Sequence, residues 1–243
     1  MLRLHNFYGP FFEGWYFKHQ RGREALALIP GRHRDRDGRE GAFVQVIGRF
    51  GSGWVNYPFG DFRQEGEALL VGPNRFGEEG VTLALEGEGI RCTGRLSYGP
   101  LTAIRGDIMG PFRAVPLMEC RHGVVSMGHG LLGTLELNGE PLCFDGGRGY
   151  IETDRGRSFP RRYLWAQCNE FEGEECSVMA SAAEIPYCGM RFWGCICSVI
   201  WRGREYRLAT YRGARVEAFE ETGLRLRQGR TSLEIALTGG KPA

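Results

Sequence analysis

A polar, glycine-containing stretch of the 243-residue chain extends from Glu119 to Phe171 and reads ECRHGVVSMGHGLLGTLELNGEPLCFDGGRGYIETDRGRSFPRRYLWAQCNEF. Near its centre, Gly149 to Asp154 is interpreted as a strand. Because successive side chains of a strand point to opposite faces, this strand carries Tyr150, Glu152 and Asp154 on one face, at intervals of roughly 6.5 to 7 Å. No other part of the sequence concentrates as much polar chemistry, so we expect the functional site in this stretch.

Short apolar runs separated by glycine-rich or charged breaks continue on both sides of this stretch. With 38 glycines and no helical period over a long window, they predict about fourteen to sixteen short antiparallel strands. One short helical turn is predicted within Ser158 to Trp165. Thirteen of the predicted strands can be given bounds: Phe11–His19, Ala25–Ile29, Ala42–Ile47, Trp54–Phe59, Ala68–Val71, Val81–Leu85, Ile90–Leu96, Gly149–Asp154, Cys176–Ile185, Arg191–Trp201, Tyr206–Thr210, Leu224–Leu226 and Leu233–Leu237.

A stretch rich in proline and glycine, from Ser97 to Pro116, interrupts this rhythm. Prolines remove the donors that a sheet needs, so this stretch predicts a crossover between two modules with a boundary near Ala114. We therefore expect an all-β chain of two successive antiparallel barrel or sandwich modules, residues 1–114 and 115–243, with the polar stretch in the second.

Composition excludes several classes of protein. The formal net charge is +2, with 31 Lys and Arg against 29 Asp and Glu, which gives no indication of nucleic-acid binding. The first residues contain no continuous apolar segment and no later run is long enough for a spanning helix, so a cytoplasmic protein is expected. The eight cysteines form no CxxC pair, so we expect neither a zinc ribbon nor a thioredoxin-type site and interpret them as small buried apolar residues in a reducing compartment.

The pair Glu152 and Asp154 is the candidate source of acid chemistry. If their face borders an enclosed cavity, mutual repulsion and desolvation favour a protonated carboxyl group that can serve as a general acid. The alternative is an acidic pair tied to Arg155 and Arg157 near a turn.

His122 and His129 flank the apolar run from Gly123 to Met127. Seven residues apart on a strand, they face opposite sides unless a bulge intervenes, so a shared metal is not expected. Either could be a pocket acid or a hydrogen-bonded core residue. Asp145-Gly146-Gly147 is typical of a hairpin turn, and no dinucleotide or P-loop pattern occurs; we predict neither cofactor nor metal.

Three segments carry a resemblance to a known family: Phe12–Lys18 (FEGWYFK), His122–His129 (HGVVSMGH) and Gly146–Phe171. Together they resemble the tocopherol cyclase family, including its uncharacterised bacterial members. Members of that family usually carry Trp in the stretch that here reads Asp154-Arg155-Gly156. If that Trp lines the ligand pocket, Arg155 indicates a different substrate.

The resemblance implies a lipocalin-like (calycin-type) fold and chemistry without a redox cofactor. Tocopherol cyclases protonate a prenyl double bond, and a phenol oxygen captures the resulting tertiary cation. Such chemistry needs an acid and a dry cavity lined by aromatic rings. On this chain the catalytic candidates are Glu152 or Asp154 as acid and Tyr150 or His129 as relay, and the candidate ligand contacts are Trp15, Phe17, His122, Trp165 and Gln167.

Three functions remain open from the sequence. The first is a cofactor-independent cyclase, of the intramolecular lyase or isomerase type, or a hydratase acting on a prenylated or polyene molecule. The second is a non-catalytic lipocalin-like carrier of a similar ligand, and the third is a glycan- or partner-binding β protein. The expected partners are a hydrophobic small molecule and, transiently, a membrane surface; no nucleic acid and no particular oligomeric state are predicted.

Overall fold

The computed structural model describes residues 2–49, 51–116, 118–187, 189–220 and 222–236. Within these ranges the chain forms nineteen strands, three short 3-10 helices (Phe59–Asp61, Gly110–Ala114 and Thr210–Arg212) and no α-helix. The all-β prediction is confirmed. The helical turn predicted within Ser158 to Trp165 is wrong, because residues 158–162 are irregular and a strand begins at Tyr163.

The chain divides into two compact units. Unit 1 combines Met1–Ala103 with His122–Ser158, and unit 2 combines Ile104–Arg121 with Phe159–Ala243. The expected boundary near Ala114 is therefore wrong. The chain leaves unit 1 after Ala103, returns at His122 and leaves again after Ser158, so the polar stretch mostly belongs with the N-terminal strands.

Unit 1 is built from one twelve-stranded sheet. Its strands are β1 (Phe11–Arg21), β2 (Glu24–Arg34), β3 (Glu40–Gly48), β4 (Gly51–Tyr57), β5 (Phe62–Glu65), β6 (Ala68–Val71), β7 (Asn74–Phe76), β8 (Gly80–Gly87), β9 (Ile90–Tyr98), β10 (Cys120–Leu137), β11 (Glu140–Cys143) and β12 (Arg148–Gly156). Their order is β4-β3-β2-β1-β12-β10-β9-β8-β7-β6-β5, with β11 paired to β10. Every pair with a described register is antiparallel.

The order of the sheet explains why the boundary falls where it does. Strands β1–β4 form one meander and β5–β9 another, and neither pairs with the other. Strands β10 and β12, both from the polar stretch, lie side by side between them. The polar stretch thus joins the two halves of the sheet through backbone hydrogen bonds.

The sheet of unit 1 folds over a hydrophobic core. Gly53 of β4 faces Ile90 of β9, and Gly87 of β8 faces Val55 of β4, so strands distant in the sheet order approach each other. Alternate residues of β1, β3 and β8 are buried, as the period of a strand requires. Its largest buried members are Trp15, Phe17, Phe76, Phe144 and leucines of β2, β6, β8 and β9.

Unit 2 contains two smaller antiparallel sheets. The first is formed by β13 (Tyr163–Cys168), β14 (Cys176–Tyr187), β15 (Met190–Trp201) and β16 (Arg204–Ala209), and the second by β17 (Arg215–Glu220), β18 (Gly223–Gln228) and β19 (Thr231–Ala236). Small residues of β14 and β15 pack against Leu224 and Leu226 of β18. The ring centroids of Trp193 and Phe219 are 4.4 Å apart.

Segment Ile104–Arg121 belongs to unit 2 through contacts with β16 and the adjoining 3-10 helix. The Tyr211 hydroxyl donates to the carbonyl of Ile108 at 3.1 Å, and the Arg207 guanidinium donates to the carbonyl of Asp107 at 3.0 Å. Residues 104–116 of the predicted crossover thus pack in unit 2, whereas residues 97–103 belong to unit 1.

Two further expectations can be compared with the structure. The seven described cysteines are free, but the expectation that they are buried is correct only for Cys92, Cys195 and Cys197; Cys143 is exposed, and the other three, Cys120, Cys168 and Cys176, are partly exposed. Cys188 lies outside the described residues, as does Leu237 of the last predicted strand. Across the described ranges, no helix has the length and apolar character needed to cross a bilayer.

Candidate functional site

Strand β12 presents Tyr150, Glu152 and Asp154 on one face, as its alternation predicts. On β1, Tyr16 lies directly opposite Glu152, and Lys18 lies opposite Tyr150. Opposed residues of paired strands point to the same side of a sheet, so Tyr16 shares this face with the carboxylates. The other face of β1 carries Trp15 and Phe17 into the core.

The polar groups on this face form a continuous chain. The Tyr150 hydroxyl donates to Glu152 Oε2 at 2.6 Å. The same oxygen lies 3.4 Å from His122 Nε2, and the other ring nitrogen of His122, Nδ1, lies 2.9 Å from Asp154 Oδ1. The imidazole of His122 therefore bridges the two carboxylates that the sequence singled out.

Burial changes along this chain. The side chain of Glu152 is 5% exposed and that of Asp154 is 25% exposed, with His122 between them at 9%. Tyr150 is fully buried. The arrangement connects a carboxyl group shielded from water with one that water reaches, through a side chain that can carry a proton on either nitrogen.

Both tyrosines next to Glu152 are held in their protonated form. Burial raises the pKa of Tyr16 well above its usual value, and the charge of Glu152 raises it further. Burial likewise raises the pKa of Tyr150, followed by the charge of Glu152 and the hydrogen bond between them. At neutral pH both phenols are therefore hydrogen-bond donors rather than bases.

The same cluster has the composition of a cation site. His122, Glu152 and Asp154 each offer a ligand atom, and these atoms lie within 4.8 Å of one another. One imidazole and two carboxylates suit a divalent transition metal. The Glu152 oxygen nearest His122 also accepts the hydrogen bond from Tyr150, which occupies part of its coordinating capacity.

The arginines considered as alternative partners of the acidic pair do not fill that role. Arg155 lies opposite Glu13 of β1, on the face of β12 that points away from Glu152 and Asp154. Glu13 itself is buried and bound by Arg32 at 2.7 Å and by His5 Nδ1 at 2.6 Å. Arg157 follows the end of β12 and is exposed.

His129 lies away from this cluster. Its Nδ1 is 3.0 Å from Ser126 Oγ, and its ring packs on Tyr98 with a centroid distance of 4.4 Å. The Tyr98 hydroxyl is 2.6 Å from His19 Nε2. None of the hydrogen bonds described for His129 involves Glu152, so the structure does not place it as the relay proposed from the sequence.

The pKa values of these two core histidines are low. Burial lowers the pKa of His19 to about 3, with a smaller contribution from the proximity of His129. Burial alone lowers the pKa of His129 to about 4. Both imidazoles are neutral at physiological pH, which fits a role as hydrogen-bonded core groups.

The remaining predicted ligand contacts lie in two different parts of the fold. Trp15 and Phe17 pack in the core of unit 1, on the opposite face of β1 from Tyr16. Trp165 and Gln167 belong to β13 of unit 2, where alternation puts them on one face, opposite Ser181 and Met179 of β14. Their assignment as ligand contacts stays a prediction.

Little in the sequence indicates that His122 and Tyr16 belong to this cluster. His122 was a candidate for ligand contact or core packing, yet it bridges the two carboxylates. Tyr16 was not a candidate, although its position between Trp15 and Phe17 put it on the other face of β1. Only the pairing of β1 with β12 brings it opposite Glu152, and that pairing joins residues far apart in the chain.

Fold and site together define an all-β protein with a Tyr–Glu–His–Asp chain on its central strands, buried at Tyr150 and Glu152 and partly exposed at Asp154. Two solved structures have a similar fold: kievitone hydratase from Nectria haematococca (TM-score 0.52, 11% identity, 94% of this chain and 75% of that one) and CghA (TM-score 0.53, 10% identity, 90% and 72%). At such low identity the likeness concerns the fold alone.

Sequence comparison identifies the family. The model of the family described as tocopherol cyclase-like matches residues 92–214, just over half of the chain. The chain belongs to the tocopherol cyclase-like family. It is 34% identical over 87 residues to a probable chloroplastic tocopherol cyclase of Oryza sativa subsp. japonica and 37% identical over 87 residues to the chloroplastic tocopherol cyclase of Zea mays. Each match covers 35% of this chain and only 18% of the plant protein.

Proposed function

We propose that this protein catalyses proton-initiated cyclisation or hydration of a prenyl double bond in a hydrophobic small molecule, with Glu152 as the proton donor. The observation that carries the proposal is the chain of polar contacts from the buried Glu152 to the more exposed Asp154 through His122, whose Nε2 lies 3.4 Å from Glu152 and whose Nδ1 lies 2.9 Å from Asp154. Membership of the tocopherol cyclase-like family and the similarity to plant proteins named as tocopherol cyclases support it.

In the proposed reaction, the carboxyl proton of Glu152 adds to the less substituted carbon of the double bond. A tertiary carbocation forms on the other carbon. A phenol oxygen of the same molecule then forms a C–O bond and loses its proton, so cyclisation is a net isomerisation. In hydration, a water molecule attacks instead and is consumed. Neither version changes the oxidation state of the protein.

Each neighbour of Glu152 has a distinct role in this proposal. The Tyr150 hydroxyl donates to the carboxylate that remains after proton transfer and so stabilises it. His122 returns a proton to Glu152, and Asp154 orients the imidazole through Nδ1 and exchanges protons with water. Tyr16 and Tyr150 help to exclude water from Glu152.

The test uses a prenylated hydroquinone as substrate in deuterated water. If Glu152 transfers a solvent-derived proton, the product gains one deuterium on carbon that does not wash out, visible by mass spectrometry. Glu152→Gln should lower the rate by at least about 100-fold, the usual contribution of a general acid. His122→Gln should lower it less, because His122 acts through Glu152.

Glu40→Gln is the matched control. Glu40 is also a glutamate of unit 1 that forms an ion pair, with Arg34, but it lies on the surface. It should leave the rate unchanged. A product without carbon-bound deuterium, or full activity in Glu152→Gln, would rule the proposal out. Retention of the substrate without turnover in every variant and in the wild type would favour the carrier function.

A metal-dependent reaction at the same cluster is a distinct outcome of the experiment. If His122, Glu152 and Asp154 hold a catalytic cation, a chelator should abolish turnover and a divalent metal should restore it. The proton-donor proposal instead predicts the same rate before and after chelation. Native mass spectrometry of the purified chain reports directly whether an ion is bound.

A further inference from the structure

One end of the four-stranded sheet of unit 2 exposes large apolar side chains. There β14 ends at Tyr187 and β15 begins at Met190, which is 71% exposed. Phe192 follows on the same face of β15 and is also exposed. We call this part of the molecule the hairpin end: residues 190–192 at the start of β15 together with residues 159–163.

Residues 159–163 add two aromatic rings to the hairpin end. Phe159 and Tyr163 stack with a centroid distance of 6.0 Å, and each ring is about half exposed. Tyr163 lies opposite Ala183 of β14, and Phe192 lies opposite Ile185, two residues further along the same strand. The register therefore gathers these aromatic side chains at one end of the sheet.

The hairpin end is also basic. Arg161, Arg162 and Arg191 are exposed there. Arg191 contacts Glu184 at 3.2 Å, and the guanidinium of Arg162 lies over the ring of Trp193 at 5.3 Å, which leaves its edge able to donate hydrogen bonds.

The opposite end of the same sheet has the reverse charge. The connection between β13 and β14 exposes four glutamates, of which Glu174 is paired with Arg202 at 2.8 Å. Phe171 and Trp201 are also exposed at this end, so the two ends differ in charge rather than in aromatic content. The sheet thus has a basic end and an acidic end. The four glutamates are Glu170, Glu172, Glu174 and Glu175.

We propose that unit 2 docks on an anionic lipid bilayer through the hairpin end. Aromatic rings with exposed edges partition into the headgroup region, and arginines bind lipid phosphates with paired hydrogen bonds. An anionic surface attracts the basic end and repels the glutamates at the other end, so the charge distribution also sets the orientation. Docking does not depend on catalysis by Glu152; if the substrate is a prenylated molecule, docking gives access to the phase that dissolves it.

Vesicle flotation with the full chain tests this proposal. Binding should be strong to vesicles of phosphatidylcholine mixed with phosphatidylserine, weak to phosphatidylcholine alone, and reduced by salt. The double variant Arg161→Gln/Arg191→Gln should weaken binding to the mixed vesicles by roughly fivefold for each arginine. Met190→Ser/Phe192→Ser should weaken it on both kinds of vesicle.

Two controls match these changes in kind but lie in unit 1. Trp54→Ser removes an exposed ring from β4, and Arg63→Gln removes an exposed arginine from β5. Neither should alter flotation. Circular dichroism of each variant checks that it remains folded.

Three results would overturn the proposal. They are absence of flotation with mixed vesicles, equal binding to both kinds of vesicle, and equal losses in the unit 1 controls. Self-association of the chain that disappears in Met190→Ser/Phe192→Ser, without flotation, would assign the hairpin end to a second copy instead. Turnover by Glu152 is measured on dissolved substrate, so failure of docking and failure of the proposed reaction are distinguishable.

Discussion

The two histidines of β10 show how position decides the chemistry of a residue. His122 contacts both carboxylates of β12, whereas His129 packs with Tyr98 and Ser126 and is neutral. Seven residues apart on one strand, they point to opposite faces, as the sequence predicted. One histidine thus belongs to the acid cluster, and the other belongs to a buried hydrogen-bond network.

The low pKa values of His19 and His129 predict a loss of stability in acid. Both values lie below the usual 6.5, so the unfolded chain binds protons first as pH falls, and stability is lost from about pH 6.5 downward towards about 4 and 3. Between about pH 7 and pH 5 each histidine should cost about 2 kcal/mol.

Urea unfolding at these two pH values measures the effect. His129→Asn should lose about 2 kcal/mol less than the wild type over this interval, because asparagine does not titrate. His33→Asn changes an exposed histidine of β2 and should lose as much as the wild type. An identical loss in all three proteins would contradict a neutral, buried His129.

Gly149 permits the close packing of His129 against β12. A Cβ atom at this position would lie 2.1 Å from His129 Nε2. Gly149→Ala should therefore lower the free energy of unfolding by about 1 to 3 kcal/mol, the usual cost of overpacking. Gly128→Ala is the control, because a Cβ there meets no atom within 4 Å; equal urea midpoints for the two variants would refute the steric argument.

At the scale of the element, β12 is the strand that makes the site. Its alternation puts Tyr150, Glu152 and Asp154 on one side and Ile151 in the core on the other. Its neighbours complete the cluster, since β1 supplies Tyr16 and β10 supplies His122. A shift of one residue in either register would exchange the two faces and dismantle the site.

The pairing of β10 with β9 depends on a glycine with an unusual backbone. Gly133 has a φ of +126°, and a Cβ there would lie 2.4 Å from the carbonyl oxygen of Arg95 on β9. Gly133→Ala should lower the thermal midpoint by several degrees, since the contact is with backbone that cannot rotate away. Gly130→Ala, in the same strand with open space around it, should change the midpoint little.

At the scale of the whole molecule, the long polar stretch holds unit 1 together. Strand β12 is hydrogen-bonded on both edges, whereas β4 lies at one end of the sheet order. Amides of 148–156 should therefore exchange only through global unfolding, and those on the free edge of 51–57 through local opening. Hydrogen exchange read by mass spectrometry should show β12 slower by orders of magnitude; equal rates would argue against the central position of β12.

Local patterns in the sequence were sufficient for the fold class and for most strands. Alternation in β1, β12 and β15 predicted their faces, because the side-chain period of a strand is a property of its own backbone. The same pattern identified Tyr150, Glu152 and Asp154 as neighbours. The family resemblance stated from three segments is confirmed by the family model.

Long-range pairing decided the rest. The residues of β12 do not by themselves specify β1 as its partner, because many apolar strands are compatible neighbours. Which strand pairs with β12 depends on the packing of the whole core. That choice moved the boundary between the units, brought Tyr16 and His122 to Glu152, and placed His129 in the core. The sequence alone therefore determined the strands and the acid candidates, and the tertiary structure decided which side chains surround them.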